Sequence, residues 1–225
     1  MTLTAFPDVI QGSDEWHDQR RGILTASVVG QLVTPKTRKP AANAASRGIT
    51  AQLVAERITG YTDPTYVGDD MLRGIEDELR ARDLYAEVYE RPVRQVGFLL
   101  RQEETWQLGY SPDGLVGDDG LIEVKSRRSK LHLRTILTGE VPDEYVAQCQ
   151  AGLLVSGRAW LDFISFCGGM PMWHKRVLPD PEWHAAIIAA AERFEAAAVE
   201  MTADYLAKTE GLPATERTTF MEMRI

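Results

Sequence analysis

The chain has 225 residues, 44% of them hydrophobic and 26% charged, and a formal net charge of -8. That suits one soluble globular core, leaves no apolar run long enough to span a bilayer, and, with two cysteines, excludes a disulfide scaffold or a four-cysteine iron–sulfur centre. An acidic total argues against a uniformly basic nucleic-acid surface, yet Lys125, Arg127, Arg128, Lys130 and Arg134 form one acid-free stretch, and Lys36, Arg38, Lys39 and Arg47 form another.

Met1 to Asp8 lacks the basic-then-apolar pattern of a secretory leader, and Cys149 and Cys167 are expected to be buried thiols in a reducing cytosol. From Asp14 to Arg21 acids come early and bases late, the order of a short helix stopped by Gly22. Ser27 is the candidate N-cap of a helix over 28–33, whose free backbone N–H groups suit an anion. Residues 34–45 read as an exposed loop, and a helix is expected over 46–58, ending at Gly60. The clearest helix spans 69–89, where Leu72, Ile75, Leu79 and Ala86 form a stripe expected to face the core. Glu76, Asp77, Arg80 and Arg82 lie opposite that stripe, and Glu78 lies beside it, turned inward.

After Pro92 the pattern becomes extended over 93–101, 106–110 and 121–126, with a turn-rich 113–120 in which Asp119-Gly120 favours a hairpin. Helices are expected over 131–137 and 143–155, the second with Pro142 in its first turn. Strands over 160–167 and 172–178 pair across Gly168-Gly169, and an Ala-rich helix runs from Pro181 to about Lys208, before an irregular tail. This order predicts an α/β fold with a central mixed β-sheet flanked by helices, in a single domain over 1–225. His17, His132, His174 and His184 are too scattered to form a site, and Trp160, Trp173 and Trp183 are assigned to the core or a subunit contact.

The chemistry concentrates in Ser111-Pro112-Asp113-Gly114 followed by Leu121-Ile122-Glu123-Val124-Lys125. Alternation along a strand sends Glu123 and Lys125 to one face, and a hairpin turning near 118–120 brings Asp113 opposite Glu123. Two converging carboxylates attract a hard divalent ion such as Mg2+, which is held by one or two carboxylates plus waters and substrate phosphate. The backbone carbonyl of Val124 is a further candidate ligand, Lys125 a candidate for orienting the attacking water, and Gln148 for orienting water or phosphate. In isolation a surface salt bridge is the better account of the three charged residues, but the apolar Leu121, Ile122 and Val124 mark an interior strand, where unpaired charge is expensive.

Four ordered blocks carry a resemblance: Gln11 to His17 with Arg20 and 22–27; Gly74 to Glu78 with Ala81-Arg82; the Asp113, Glu123, Lys125 motif; and Tyr145 to Gln150. On these residues the chain resembles the phage lambda-type exonucleases, or YqaJ-like viral recombinases, of the PD-(D/E)XK nuclease superfamily. The resemblance implies a restriction-endonuclease-like core over 70–178, an N-terminal helical segment over 11–60 that forms a phosphate pocket, and a closing helix over about 181–208. It also implies that Asp113, Glu123 and Val124 (through its carbonyl) hold Mg2+, with Mn2+ as a substitute, and that Lys125 and Gln148 are catalytic. Glu78 assists the metal or the attacking water, Arg20, Ser27 and Ser111 receive the 5′-phosphate, and Met71 lies where the family has an apolar strand wedge.

The implied activity is 5′ to 3′ digestion of one strand from double-stranded DNA ends, leaving a 3′ single-stranded tail for phage-type recombination. A homotrimer ring, a single-strand annealing recombinase as partner, no membrane and the cytoplasm of a bacterial host, with a phage or prophage origin, belong to the same expectation. The competing readings are a structure-specific or restriction-type endonuclease of the same superfamily and a non-catalytic DNA-end-binding protein.

Overall fold

The computed structural model describes residues 2–64 and 68–217. The first element, strand β1 (Thr2–Phe6), has no counterpart among the expected elements. Helix α1 (Asp14–Arg20) follows as expected, its N-terminus capped by the Ser13 hydroxyl, which accepts from the Trp16 N–H. The expected helix over 28–33 is a single turn, α2 (Ala26–Val29), with Thr25 rather than Ser27 at its N-cap. Gly30 ends it, and β-branched Val33 and Thr34 enter strand β2 (Val33–Thr34), paired with β3 (Lys39–Pro40). Part of the expected loop is therefore a short hairpin, with Ala41 buried behind it.

Helix α3 (Ala44–Thr59) carries a reciprocal cap between Asn43 and Ser46 and stops at Gly60, which is left-handed with φ 61°. Helix α4 (Asp69–Val88) has the expected bounds but the opposite orientation. Leu72, Ile75 and Leu79 are 52, 60 and 51% exposed, while Asp77, Ala81, Arg82 and Tyr85 are buried. Polar partners choose that face. Ser126 Oγ donates to Asp77 Oδ2 at 2.6 Å, and Arg82 Nε donates to the Asp113 carbonyl at 2.8 Å.

The extended stretch after Pro92 divides into β4 (Val93–Arg94) and β5 (Phe98–Gln102), which enter different sheets. The break falls at Gly97, where a Cβ would lie 1.8 Å from the Val9 carbonyl oxygen. Strand β6 (Gln107–Tyr110) pairs with β5, and β5 with β1, giving a three-stranded antiparallel sheet.

Strand β7 (Gly114–Val116) lies inside the segment read as turn, and pairs with β8 (Gly120–Ser126). Helices α5 (Ser129–Thr138) and α6 (Asp143–Ser156) follow, with Pro142 at the N-cap of α6 rather than in its first turn. Strand β9 (Trp160–Phe166) runs parallel to β8, and β10 (Trp173–Val177) returns antiparallel to β9. The result is a mixed five-stranded sheet, ordered β10-β9-β8-β7-β4.

Helix α7 (Pro181–Thr209) buries Trp183, Ile187, Ala190, Ala191, Phe194 and Ala198 at helical spacing against this core. Trp160 is buried as expected, and Trp173 packs at the core's edge. Cys149 is buried, but Cys167, just beyond the end of β9, is only half-buried. The acid-free basic stretches find their acids in space. Arg127 pairs with Glu144, Arg128 with Asp70, and Arg38 with Asp180 and Glu182. Among the described residues no helix is long and apolar enough to cross a membrane.

Candidate active site

Strand β8 lies between β7 and β9, so its residues are enclosed on both edges. Leu121 and Ile122 are fully buried, and alternation places Glu123 and Lys125 together on the face toward α6. The β7–β8 register pairs Gly114 with Ile122 and Val116 with Gly120, which sets Asp113 opposite Glu123, as the hairpin reading requires. Gly120 lets the Trp160 ring pack on the start of β8, since a Cβ there would sit 2.1 Å from it.

Three of the four oxygens of this pair have partners that fix their direction. Asp113 Oδ2 accepts from the Val124 N–H at 2.6 Å. Glu123 Oε1 accepts from Lys125 Nζ at 2.7 Å and from the Gln148 amide, and its Oε2 accepts from the Tyr110 hydroxyl at 2.9 Å. Burial, reinforced by the negative charges of Glu123 and Glu78, holds the Asp113 carboxyl well above its ordinary pKa. Burial also raises Glu78; the Arg82 guanidinium opposes the rise and Glu123 adds to it. For Lys125, burial pulls the ammonium down, but Glu123 and Asp113 outweigh it and leave the group raised and charged.

Three carboxylates, Asp113, Glu123 and Glu78, thus act on one another, with Lys125 and Arg82 opposing their charge. Glu78 is held by Arg82, and among the described residues no three carboxylate, histidine or cysteine groups converge closely enough to hold a metal on their own. Two hard-oxygen donors with a surplus of negative charge do fit Mg2+, whose remaining positions are commonly filled by water and phosphate. Asp113, Glu123 and the Val124 carbonyl are the groups that would hold it.

Next to the carboxylates lies a second constellation. Arg20 rests on the Trp16 indole, with Cζ 4.0 Å from the ring centroid, and donates to Thr25 Oγ1 at 3.3 Å and Ser27 Oγ at 3.4 Å. Among the described residues no carboxylate bonds this guanidinium, and burial depresses its pKa. Trp16 Nε1 donates to Ser111 Oγ at 2.8 Å. A cavity of about 150 Å3 is lined together by Arg20, Ser27, Ser111, Asp113, Glu123, Lys125 and Gln148. Seven of the expected site residues therefore share one space. Glu78 and Met71 line a larger neighbouring cavity of about 990 Å3, which shares Gln11 and Trp16 with the first.

Four participants escaped the sequence reading: Trp16, Thr25, Arg82 and Tyr110. Trp16, Thr25 and Arg82 sit inside the resembling blocks, but Trp16 and Thr25 carry no assigned role there and Arg82 falls on the face opposite the apolar stripe. Tyr110 immediately precedes the motif, and only the sheet crossing shows that its hydroxyl reaches Glu123. His132, by contrast, is a structural bridge, bonded to Ser165 Oγ at 2.8 Å and the Pro171 carbonyl at 2.9 Å.

The family model for the YqaJ-like viral recombinase domain matches residues 15–159. The chain is similar to an alkaline exonuclease (LHK-Exo) from Laribacter hongkongensis, at 32% identity and a TM-score of 0.77, over 88% of this chain and 98% of the relative. The structure of LHK-Exo in complex with dAMP matches at 32% identity and a TM-score of 0.79, over 89% of this chain and 100% of the relative. A phage-related exonuclease from Haemophilus somnus 129PT shares the fold at 11% identity and a TM-score of 0.56, over 80% of this chain and 96% of that one. No curated protein sequence matches the chain.

Proposed function

Because the chain belongs to the YqaJ-like viral recombinase domain family, we propose that it is a magnesium-dependent exonuclease that digests one strand of duplex DNA from a 5′-phosphorylated end. Digestion runs 5′ to 3′ and leaves a 3′ single-stranded tail for recombination. The observation that carries this reading is the single cavity in which the Asp113, Glu123, Lys125 cluster meets Arg20, Ser27 and Ser111. The names of the relatives at 32% identity, both alkaline exonuclease structures, point the same way.

In this scheme Arg20, Ser27 and Ser111 receive the terminal phosphate, the guanidinium supplying a planar fork of donors. Asp113, Glu123 and the Val124 carbonyl hold Mg2+, with Mn2+ as a substitute, and Glu78 assists from α4. Polarisation of the scissile phosphate and a lowered pKa of bound water are the chemistry that the ion supplies when bound. Lys125, charged and anchored on Glu123, orients the attacking water and steadies charge developing on the phosphate. Gln148 holds the second lone pair of Glu123 Oε1, and Met71 parts the terminal base pair from the rim of the larger cavity. A homotrimer ring would set basic residues around the duplex while the outer surface stays acidic, and an annealing recombinase would take up the tail.

A gel assay of linear duplex with 5′-phosphate or 5′-hydroxyl ends, with and without Mg2+, tests the reading. Digestion is expected only with the metal and faster from the phosphorylated end. Nicking or linearising of closed circular duplex would instead establish the endonuclease reading.

A further inference from the structure

We propose that Tyr110 is a positioning residue for the metal site, fixing the Glu123 carboxylate so that a single lone pair remains for the cation. The inference rests on the reading of Glu123 as a metal ligand and extends it to a residue outside the motif. An ionised carboxylate offers about four lone-pair directions. Lys125 and Gln148 occupy both on Oε1, and the Tyr110 hydroxyl occupies one on Oε2. The remaining direction belongs to Oε2, the oxygen that Tyr110 holds. Glu123 is therefore set to bind a cation through one oxygen, from a carboxylate plane fixed by three donors on β6, β8 and α6.

The ring that delivers the hydroxyl is itself held. Tyr110 is 1% exposed and lies against Gly152, one turn beyond Gln148 on α6. A Cβ at position 152 would stand 2.8 Å from Tyr110 Cζ and 3.0 and 3.1 Å from the two Cε atoms, so a glycine there lets the ring lie flat between β6 and the helix. Gln148 projects from the same helix to the same carboxylate. Helix α6 thus sets Glu123 from both sides, directly through Gln148 and indirectly through the seat of Tyr110. Partners of this kind around a metal ligand change metal affinity by about 10–100-fold when removed.

The test measures Mn2+ binding to the full-length protein without DNA, from the electron paramagnetic resonance signal of the free aquo ion, with thermal melts confirming the fold. Tyr110→Phe keeps the ring and removes only the hydroxyl, and it should weaken Mn2+ binding about tenfold. Gly152→Ala should weaken binding in the Tyr110 background by moving the hydroxyl, and should add nothing in the Tyr110→Phe background. Affinity within about twofold of wild type for a folded Tyr110→Phe protein overturns the assignment, as does an equal loss from Gly152→Ala in both backgrounds. Asp113→Ala separates the two levels of the argument. Loss of binding there with an unchanged Tyr110→Phe protein removes only the role of Tyr110, whereas wild-type binding by Asp113→Ala removes the metal site itself.

Discussion

The Trp16 indole N–H donates to the Ser111 hydroxyl at 2.8 Å, tying α1 to the turn that carries Asp113. The same indole supports the Arg20 guanidinium on its face. The Arg20 constellation and the carboxylate cluster are thereby held in one frame. Arg20→Ala should abolish the preference for 5′-phosphorylated over 5′-hydroxyl ends. Trp16→Phe keeps a ring beneath Arg20 but frees Ser111, so the preference should fall only partly, at a cost of about 0.5–1.5 kcal/mol in stability. Digestion rates on the two kinds of end, beside urea unfolding curves, check both. Undiminished preference in Arg20→Ala would remove the phosphate pocket.

Asp113→Asn and Lys125→Ala should each abolish digestion while sparing the fold. In the first, the buried acid whose ionised form is disfavoured becomes a neutral isostere, so the melting temperature should hold or rise. The checks are a gel assay and a thermal melt on the same preparation. Substantial residual digestion by either variant contradicts the site.

Helix α4 presents its apolar stripe outward, and that orientation has a direct energetic signature. Ile75→Ser and Leu79→Ser should change stability by no more than about 0.5 kcal/mol, because both side chains are already exposed. Asp77→Ala, which removes the acceptor of the Ser126 hydroxyl and leaves that oxygen only its bond from Arg73, should cost about 0.5–1.5 kcal/mol. Chemical denaturation of the three variants decides it. A large loss from Leu79→Ser would restore the orientation expected from the hydrophobic pattern.

Acid should weaken the sheet through Asp162, a buried residue of β9. Burial alone would raise its pKa, but hydrogen bonds from Arg176 at 2.8 and 2.9 Å and from Tyr85 at 2.6 Å outweigh it and depress the carboxyl. A depressed carboxyl contributes stability that is complete above the ordinary aspartate pKa and is lost as pH falls through the lowered value. Asp162→Asn should therefore be less stable at neutral pH and should flatten the acid limb of the stability curve. Parallel acid limbs for the two proteins would rule this out.

The sequence made the motif strand legible because its chemistry is local: alternation puts Glu123 and Lys125 on one face, and Asp119-Gly120 sets the turn. Arg20, Ser27 and Gln148, singled out by the resemblance, line the same cavity as that motif. What stayed hidden depends on distant parts of the chain. Pairing of β1 with β5 gives a strand to a segment without strong alternation. The outward stripe of α4 was unreadable because hydrophobic periodicity cannot anticipate that Asp77 and Arg82 find buried partners. Tyr110 needed the crossing of β6 and β8 before its hydroxyl could be given a role.

Strand pairing here decides chemistry as well as shape. Had β8 slipped by one residue against its neighbours, Ile122 and Val124 would occupy the face now held by Glu123 and Lys125, with the sheet still formed. The same slip would push Glu123 and Lys125 into the apolar layer of Ala81, Tyr85 and Ile164, so the core enforces the one register that gathers the charged groups.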